Sequence, residues 1–504
     1  MHITILFYIS ERYVMDNILQ PFKSLLYEQV DPLVVSQRLY KHGRLEKAQK
    51  KVICLLLRQS SHRGRVWDYM LPIIEKQCPF HCLLDVLLNC GYIEIFINIS
   101  IQWKLSKLNV DNMQRTSVMD SNRKSSQKLL MQLKIKTHNI QLDNPRTFLG
   151  WKSEQYKKDY LSESDETRKI IKADNFAASL CAEIDAYTIL YVRRFPSHRL
   201  FDKLKSIIPH TSNTHVTQVA YDSRLALVYS IADQGDKGEE NLRRAMSYSI
   251  HIGYCVELVE MLYIYVFNLI GVYEKHPCER VFEKITNIAE YCIQCLQEET
   301  EEEIISFWKR RIYLRIMFCF LGISNRGDII PGIIVLPKYI RKANDLMIEL
   351  DKLWDGFETR RLMFYYVAKA RLAELEEELE FATECLDMAV DIGKSGEFGE
   401  VKYIEGYLSS VKEMYKRIQR QEVSINNTIK PETTRTALEN TDRSVIQEET
   451  FEKYSSSTFE KHLFDLKDPN NHYNSKASEY QTEKGRIVDT KPTHKSEFFY
   501  SFLH

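Results

Sequence analysis

At 504 residues the chain exceeds one small domain and leaves room for two or three folding units. Hydrophobic residues make up 44% of it, enough for a sizeable core, while only 17 glycines and 13 prolines leave helix formers dominant and favour an all-α protein. The 69 basic and 69 acidic side chains cancel, so the whole-chain field points to neither nucleic acid nor an acidic membrane as a partner.

In chain order, "MHITILFYISERY" carries an apolar run too short for a signal peptide, with no basic leader and no small-residue cleavage site. Met15 opens a cleaner start, "MDNILQPFKSLL", so residues 1–14 read as an N-terminal extension. Nowhere does an uninterrupted apolar run reach the roughly 18 residues of a membrane span, and a cytoplasmic protein is expected. The eleven cysteines sit in apolar helical patterns such as "YCIQCLQ" and "RIMFCFLG", which reads as reduced thiols rather than a disulfide framework. Cys292 and Cys295 form a C-x-x-C with no second pair at zinc-finger spacing, so neither metal nor cofactor is expected.

Residues 15–100 are dense in short apolar helices. "DNILQPFKSLLYEQV" leads into Asp31, a good N-cap, and Pro32, which suits the first helical position because its missing N–H needs no partner there. Val35 and Leu39 share the inner face of this second helix, and Gly43 ends it. After Leu45 a third helix places Ala48, Val52 and Leu55 or Leu56 inward, with Lys47, Lys50 and Lys51 outward. "SSHRGRVWDYMLPII" supplies a fourth with Val66, Met70 and Ile73 or Ile74. "CPFHCLLDVLLNCG" supplies a fifth with Leu84, Leu87 and Leu88, and "YIEIFINIS" closes the set. Helices this short are marginal alone, so they are expected to pack as one antiparallel bundle.

Residues 101–165 turn polar, as in "DNMQRTSVMDSNRKSSQK", and read as a disordered basic linker, interrupted by a short element of ambiguous period around "LMQLKIKTHNIQL". From 166 to 420 the helical period returns. Helix-length runs begin near Thr214, Glu239, Cys255, Cys278, Glu301, Lys338, Thr359, Glu378 and Gly399, with breaks marked by Gly235, Gly253, Gly356 and Gly393. "YSIHIG" and "MAVDIG" lie about four units of 35 residues apart, near the tetratricopeptide period of about 34. Ala368, Ala370, Ala382 and Ala389 are small enough for close helix packing. This block resembles tetratricopeptide-like α-solenoids with degenerate repeats, although the Trp-Leu-Gly-Tyr signature of the first repeat helix is absent. Residues 421–504 are Ser/Thr/Asn/Lys-rich and read as a disordered tail ending in the apolar "EFFYSFLH".

The ordered features of 15–100 resemble a caspase recruitment domain (CARD) of the death-fold superfamily. They are "LLYEQV" leading into Asp31-Pro32, a short second helix ended by Gly43, Arg63 before the fourth helix, and "LLDVLLNCGY" in the place of the fifth. Two features depart from that pattern: Pro72 inside the fourth helix, expected to kink or shorten it, and Cys78-Pro79 where many members carry glycine. The fold expected for the whole chain is therefore a six-helix death-fold bundle plus a tetratricopeptide-like α-solenoid.

No P-loop, H-E-x-x-H, G-x-S-x-G or Gly-rich dinucleotide turn occurs, and His62, His81 and Cys82 read as packing residues, so no catalytic activity is expected. What remains is surface. Residues 15–100 hold eleven basic and eight acidic side chains. The basic candidates for an interface are Arg38, Lys41, Arg44, Lys47, Lys50, Lys51, Arg58, Arg63 and Arg65; the acidic ones are Asp68, Glu75, Asp85 and Glu94. The resemblance implies that oppositely charged faces of such bundles mate head to tail, with other CARD proteins or with copies of the same chain, and propagate into filaments. It also implies an adaptor in regulation of apoptosis or innate immune signalling, its helical repeats holding a peptide or partner protein in a groove. The alternative is a tetratricopeptide-like scaffold or co-chaperone with a purely structural N-terminal bundle.

Overall fold

In the computed structural model the described residues are 19–59, 63–111, 118–139, 145–190, 198–232 and 234–428. They are 83% helical, with 19 α-helices and no strand among them, so the fold is all-α. The N-terminal extension and nearly all of the expected tail, with "EFFYSFLH", lie outside the described residues.

Local chemistry sets the first elements. After a 3-10 turn at Gln20–Phe22, α1 spans Lys23–Gln29 and α2 spans Pro32–Lys41. The Asp31 carboxylate caps α2 by accepting from Leu33 N at 2.8 Å. Gly43 takes φ +67 after α2, a left-handed residue where a side chain would be strained. The rest of the bundle is α3 (Lys47–Gln59), α4 (Arg63–Gln77), α5 (Phe80–Asn89) and α6 (Ile93–Asp111). Its centre is Trp67, whose indole N–H donates to Val30 O at 3.1 Å, packed with Leu26, Val35, Leu39, Ile53, Met70, Leu84 and Leu87.

Three expectations for this bundle change. The inward face of α3 is Ile53 with the partly buried Leu56 and Leu57, while Ala48, Val52 and Leu55 are exposed. The run "VICLLL" offers apolar residues on every side of a helix, and packing against α2 and α4 selects Ile53. Pro72 stands inside α4 without ending it, on the exposed face of that helix. Finally, α6 runs past residue 100, and its Lys104 is buried with Nζ on Ser249 O at 2.5 Å.

Residues 101–165 differ most from the sequence reading. Their described part is helical: the end of α6, then α7 (Val118–Asn139) and α8 (Pro145–Ser162). Leu130, Met131, Leu133 and Leu149 are buried, and polar Gln127 and Lys134 are buried beside them. Those polar side chains find partners on distant helices, so the segment needs no clean apolar period to pack.

The remaining helices are α9 (Glu166–Leu190), α10 (His198–Ile207), α11 (Thr214–Ile231), α12 (Gly235–Ser249), α13 (Val256–Lys275), α14 (Glu279–Cys295), α15 (Glu302–Leu321), α16 (Pro337–Asp351), α17 (Thr359–Leu375), α18 (Leu379–Ser395) and α19 (Val401–Thr428). Consecutive helices pair as hairpins from α11 onward, and α9, α11, α13, α15 and α17 also touch in succession, a helical-repeat-like arrangement. Ala368, Ala370, Ala382 and Ala389 are fully buried where α17 meets α18. Of the four marker glycines only Gly356 is left-handed, at φ +78. Gly235 starts α12, and Gly253 lies in a loop with open space around it. Gly393 lies inside α18, where a Cβ would stand 2.6 Å from Val401 Cγ2 and 2.9 Å from Met363 Sδ. "YSIHIG" and "MAVDIG" therefore place their glycines differently, because α12 stops four residues short of its glycine and α18 runs past its own.

One continuous apolar core runs from Leu19 to Val411, so the N-terminal bundle and the repeat block belong to one folded body. Among the described residues one helix, α13, is long and apolar enough to cross a bilayer, yet its side chains are mostly buried in this core.

Candidate functional site

Two places carry unspent chemistry. The first is the exposed face of the N-terminal bundle. Lys47, Lys51, Leu55 and Arg58 recur at helical spacing along one side of α3, flanked by Ala48 and Val52, and all six are exposed. Lys41, Arg44, Arg63 and Arg65 are also exposed, Arg38 and Lys50 are half-buried, and the Lys50 ammonium lies 4.4 Å from the centre of the Tyr40 ring. The acidic candidates are placed differently. Glu94 is held by Lys284 of α14 at 2.5 Å, and Asp68 accepts the Tyr27 hydroxyl. Glu75 and Asp85 are half-buried, and Asp85 acts electrostatically on His251 at the end of α12. The basic side thus faces outward, while Glu94 and Asp85 are turned toward the repeat block.

The second place is a cavity of about 1050 Å³ lined by α9, α11, α13, α15 and α17, with the loop at 324–331, Gly399 and Glu400, and the start of α19. Its two halves differ in charge. In one half, Asp185 of α9 and Glu260 of α13 meet Arg224 of α11 and Lys134 of α7. Lys134 Nζ lies 2.9 Å from Asp185 Oδ2 and 2.7 Å from Glu260 Oε1. Arg224 grips Asp185 with two bonds of 2.9 Å and Glu260 with one of 2.7 Å. All four are almost fully buried, and the two positive charges match the two negative ones. Burial alone would raise the Asp185 carboxyl, but Arg224 and Lys134 outweigh it and hold it below its usual range. Gln127 of α7 adds a 2.9 Å bond to Glu257, and Lys128 a 3.2 Å pair to Glu301. Lys134 of the helix from the expected linker therefore neutralises the acidic half of the cavity.

The other half is basic. Arg311 and Arg315 project from α15, Arg360 and Arg361 from α17, and Arg310 lies behind them. Glu358, at the N-cap of α17, binds Arg310 at 3.4 Å and also Arg311, while Glu400 binds Arg360. Arg315 donates to Asn325 Oδ1 at 3.0 Å and to the Tyr263 hydroxyl oxygen at 3.3 Å. Burial and the neighbouring guanidiniums of Arg311, Arg360 and Arg315 lower Arg361 to about 9. Burial would raise the Tyr263 phenol, but Arg361, Arg315 and Arg311 outweigh it and bring it down to about 7. Among the described residues no hydrogen bond reaches Arg361 Nη1, Arg360 Nε, Trp308 Nε1 or Glu400 Oε2, although all four atoms are buried.

Sequence reasoning passed over these arginines. Their signal is two Arg-Arg pairs inside otherwise apolar helices, "WKRRIYLRIMF" and "TRRLMFYY", with Arg311 and Arg315 one turn apart. Among the described residues no group of three or more His, Cys, Asp or Glu could hold a metal ion. All eleven cysteines are free, and Cys292 and Cys295 are buried.

The fold and these two places define an all-α, helical-repeat-like molecule with an outward basic face and a charged inner cavity. No family model, no curated protein and no solved structure matches the chain.

Proposed function

We propose that this protein is a non-enzymatic cytoplasmic adaptor, whose CARD-like N-terminal bundle recruits another CARD protein in death or innate immune signalling while its helical repeats hold a second partner. The observation that carries the reading is the exposed face of α3, where Leu55 and Val52 stand among Lys47, Lys51 and Arg58. Apolar side chains ringed by like charges suit a partner that is acidic at its rim and apolar at its centre. Because Glu94 and Asp85 are turned inward, the reading favours recruitment of an acidic face on another protein, with filaments of this chain alone requiring release of the bundle from α12 and α14.

The test is sedimentation of the full chain with purified CARDs that carry acidic faces, using the parent and a K47E/K51E/R58E variant. Co-sedimentation lost in the variant supports the reading. Indifference to the reversal, with short acidic peptides captured by the repeats, would favour the scaffold alternative.

A further inference from the structure

We propose that the basic half of the cavity is a binding site for a phosphoryl group, held by Arg311, Arg315, Arg360 and Arg361 together with the Trp308 indole N–H. The proposal deepens the reading of the repeats as a partner-binding block by naming what that block takes.

The cavity contains its own comparison. Its acidic half is neutralised by Lys134 and Arg224, with every charge paired. Its basic half has no such occupant. Five guanidiniums, Arg310, Arg311, Arg315, Arg360 and Arg361, face the carboxylates Glu358, Glu400 and Glu274, leaving two positive charges uncompensated while Tyr263 is the neutral phenol and one when it is the phenolate. At the rim Arg326 and Asp328 add one charge of each sign. Surplus buried charge is costly, and a fold that keeps it without a ligand loses stability for no return. The free donors are as telling as the charge. Arg361 is 4% exposed and Trp308 2% exposed, both line the cavity, and among the described residues Arg361 Nη1 and Trp308 Nε1 have no acceptor; Arg360 Nε is a third, against two unbonded acceptors on the same lining, Glu400 Oε2 and Asn268 Oδ1.

Two surplus charges with three unused N–H donors match a dianion with several acceptor oxygens better than a single carboxylate. Guanidinium forks suit phosphate geometry in particular. About 1050 Å³ also leaves room for the organic group that carries the phosphate, beside the Tyr263, Phe267 and Tyr403 rings.

The experiment is thermal unfolding of the full chain against rising inorganic phosphate, with acetate at matched ionic strength, in the parent, Arg361→Lys and Arg361→Met. Phosphate stabilises many proteins by exclusion, and that background persists in the variants, so the readout is the difference from the parent. The expected result is a saturable, phosphate-specific rise in the parent. It should weaken about 10- to 100-fold in affinity in Arg361→Met, the worth of a charge-assisted hydrogen bond. Without phosphate, Arg361→Met should unfold at or above the parent temperature, which separates lost binding from misfolding. An equal response in parent and Arg361→Met overturns the proposal. Competition by a phosphoserine peptide against a nucleoside monophosphate then distinguishes the source of the group, and the tighter competitor identifies it. No phosphate-specific response in the parent, with CARD recruitment intact, would sink this site alone; the reverse outcome would sink the adaptor reading and leave the site standing.

Discussion

Replacing Lys134 by Met removes one cation from a buried quartet and leaves Asp185 and Glu260 facing Arg224 alone. Side-chain volume is nearly kept, so the cost is electrostatic. Breaking a buried pair by deleting one partner costs about 3–5 kcal/mol, because the stranded charge stays desolvated. Since α7 is held in the cavity by this lysine, the loss should appear as easier detachment of α7 rather than global unfolding. At 1.4 kcal/mol per factor of ten, amide exchange of the α7 backbone should speed up roughly 100- to 4,000-fold, with α17 and α18 little changed. Hydrogen exchange read by mass spectrometry on peptides from 124–136 measures it. Adding Glu260→Gln restores neutrality, with Asp185 and Arg224 still paired, and should recover most of the protection. A change below about fivefold in Lys134→Met, or no recovery in the double variant, would refute the view that charge matching seats α7.

Further expectations are independent of that one. Tyr263 should titrate near pH 7 in the native protein, seen as phenolate absorbance, and Arg361→Met should return it toward the ordinary tyrosine range, because the charge that lowers it most is gone. Bound phosphate should also raise it. Gly393→Ala should cost about 1–3 kcal/mol in chemical denaturation, since its Cβ meets Val401 and Met363. Gly253→Ala, in open space, should stay within about 0.5 kcal/mol. Cys82 should be the fastest-labelling thiol of the N-terminal bundle: a hydrogen bond from Cys78, together with Arg44, holds its thiol below the usual range. Thiolate is thus its main form at neutral pH, and labelling should slow only as the pH falls below neutral. Equal rates at Cys54, Cys82 and Cys90 would contradict that assignment.

The sequence made some of this architecture legible. Asp31-Pro32, Gly43 and the starts near Thr214, Cys255, Cys278, Glu301, Thr359 and Glu378 mark real helix ends; Asp31 and Asn213 cap theirs through side-chain oxygens, and the other starts are legible from where the helical period resumes. The face of α3 was not legible, since "VICLLL" surrounds the helix with apolar residues and only its neighbours choose Ile53. Nor was α7. Its buried Gln127 and Lys134 look like linker residues until Glu257, Asp185 and Glu260 arrive from helices 50 to 130 residues away in sequence. The arginine cluster was hidden for the same reason: Arg311 and Arg361 become neighbours only through the packing of α15 on α17.

The most direct test of the central claim is light scattering of the full chain mixed with an acidic-faced CARD, over a range of concentrations, for the parent and for the K47E/K51E/R58E variant. The account predicts concentration-dependent co-assembly with the parent, weakened by salt and absent in the variant. Assembly that survives the reversal, or none with any CARD offered, would contradict it.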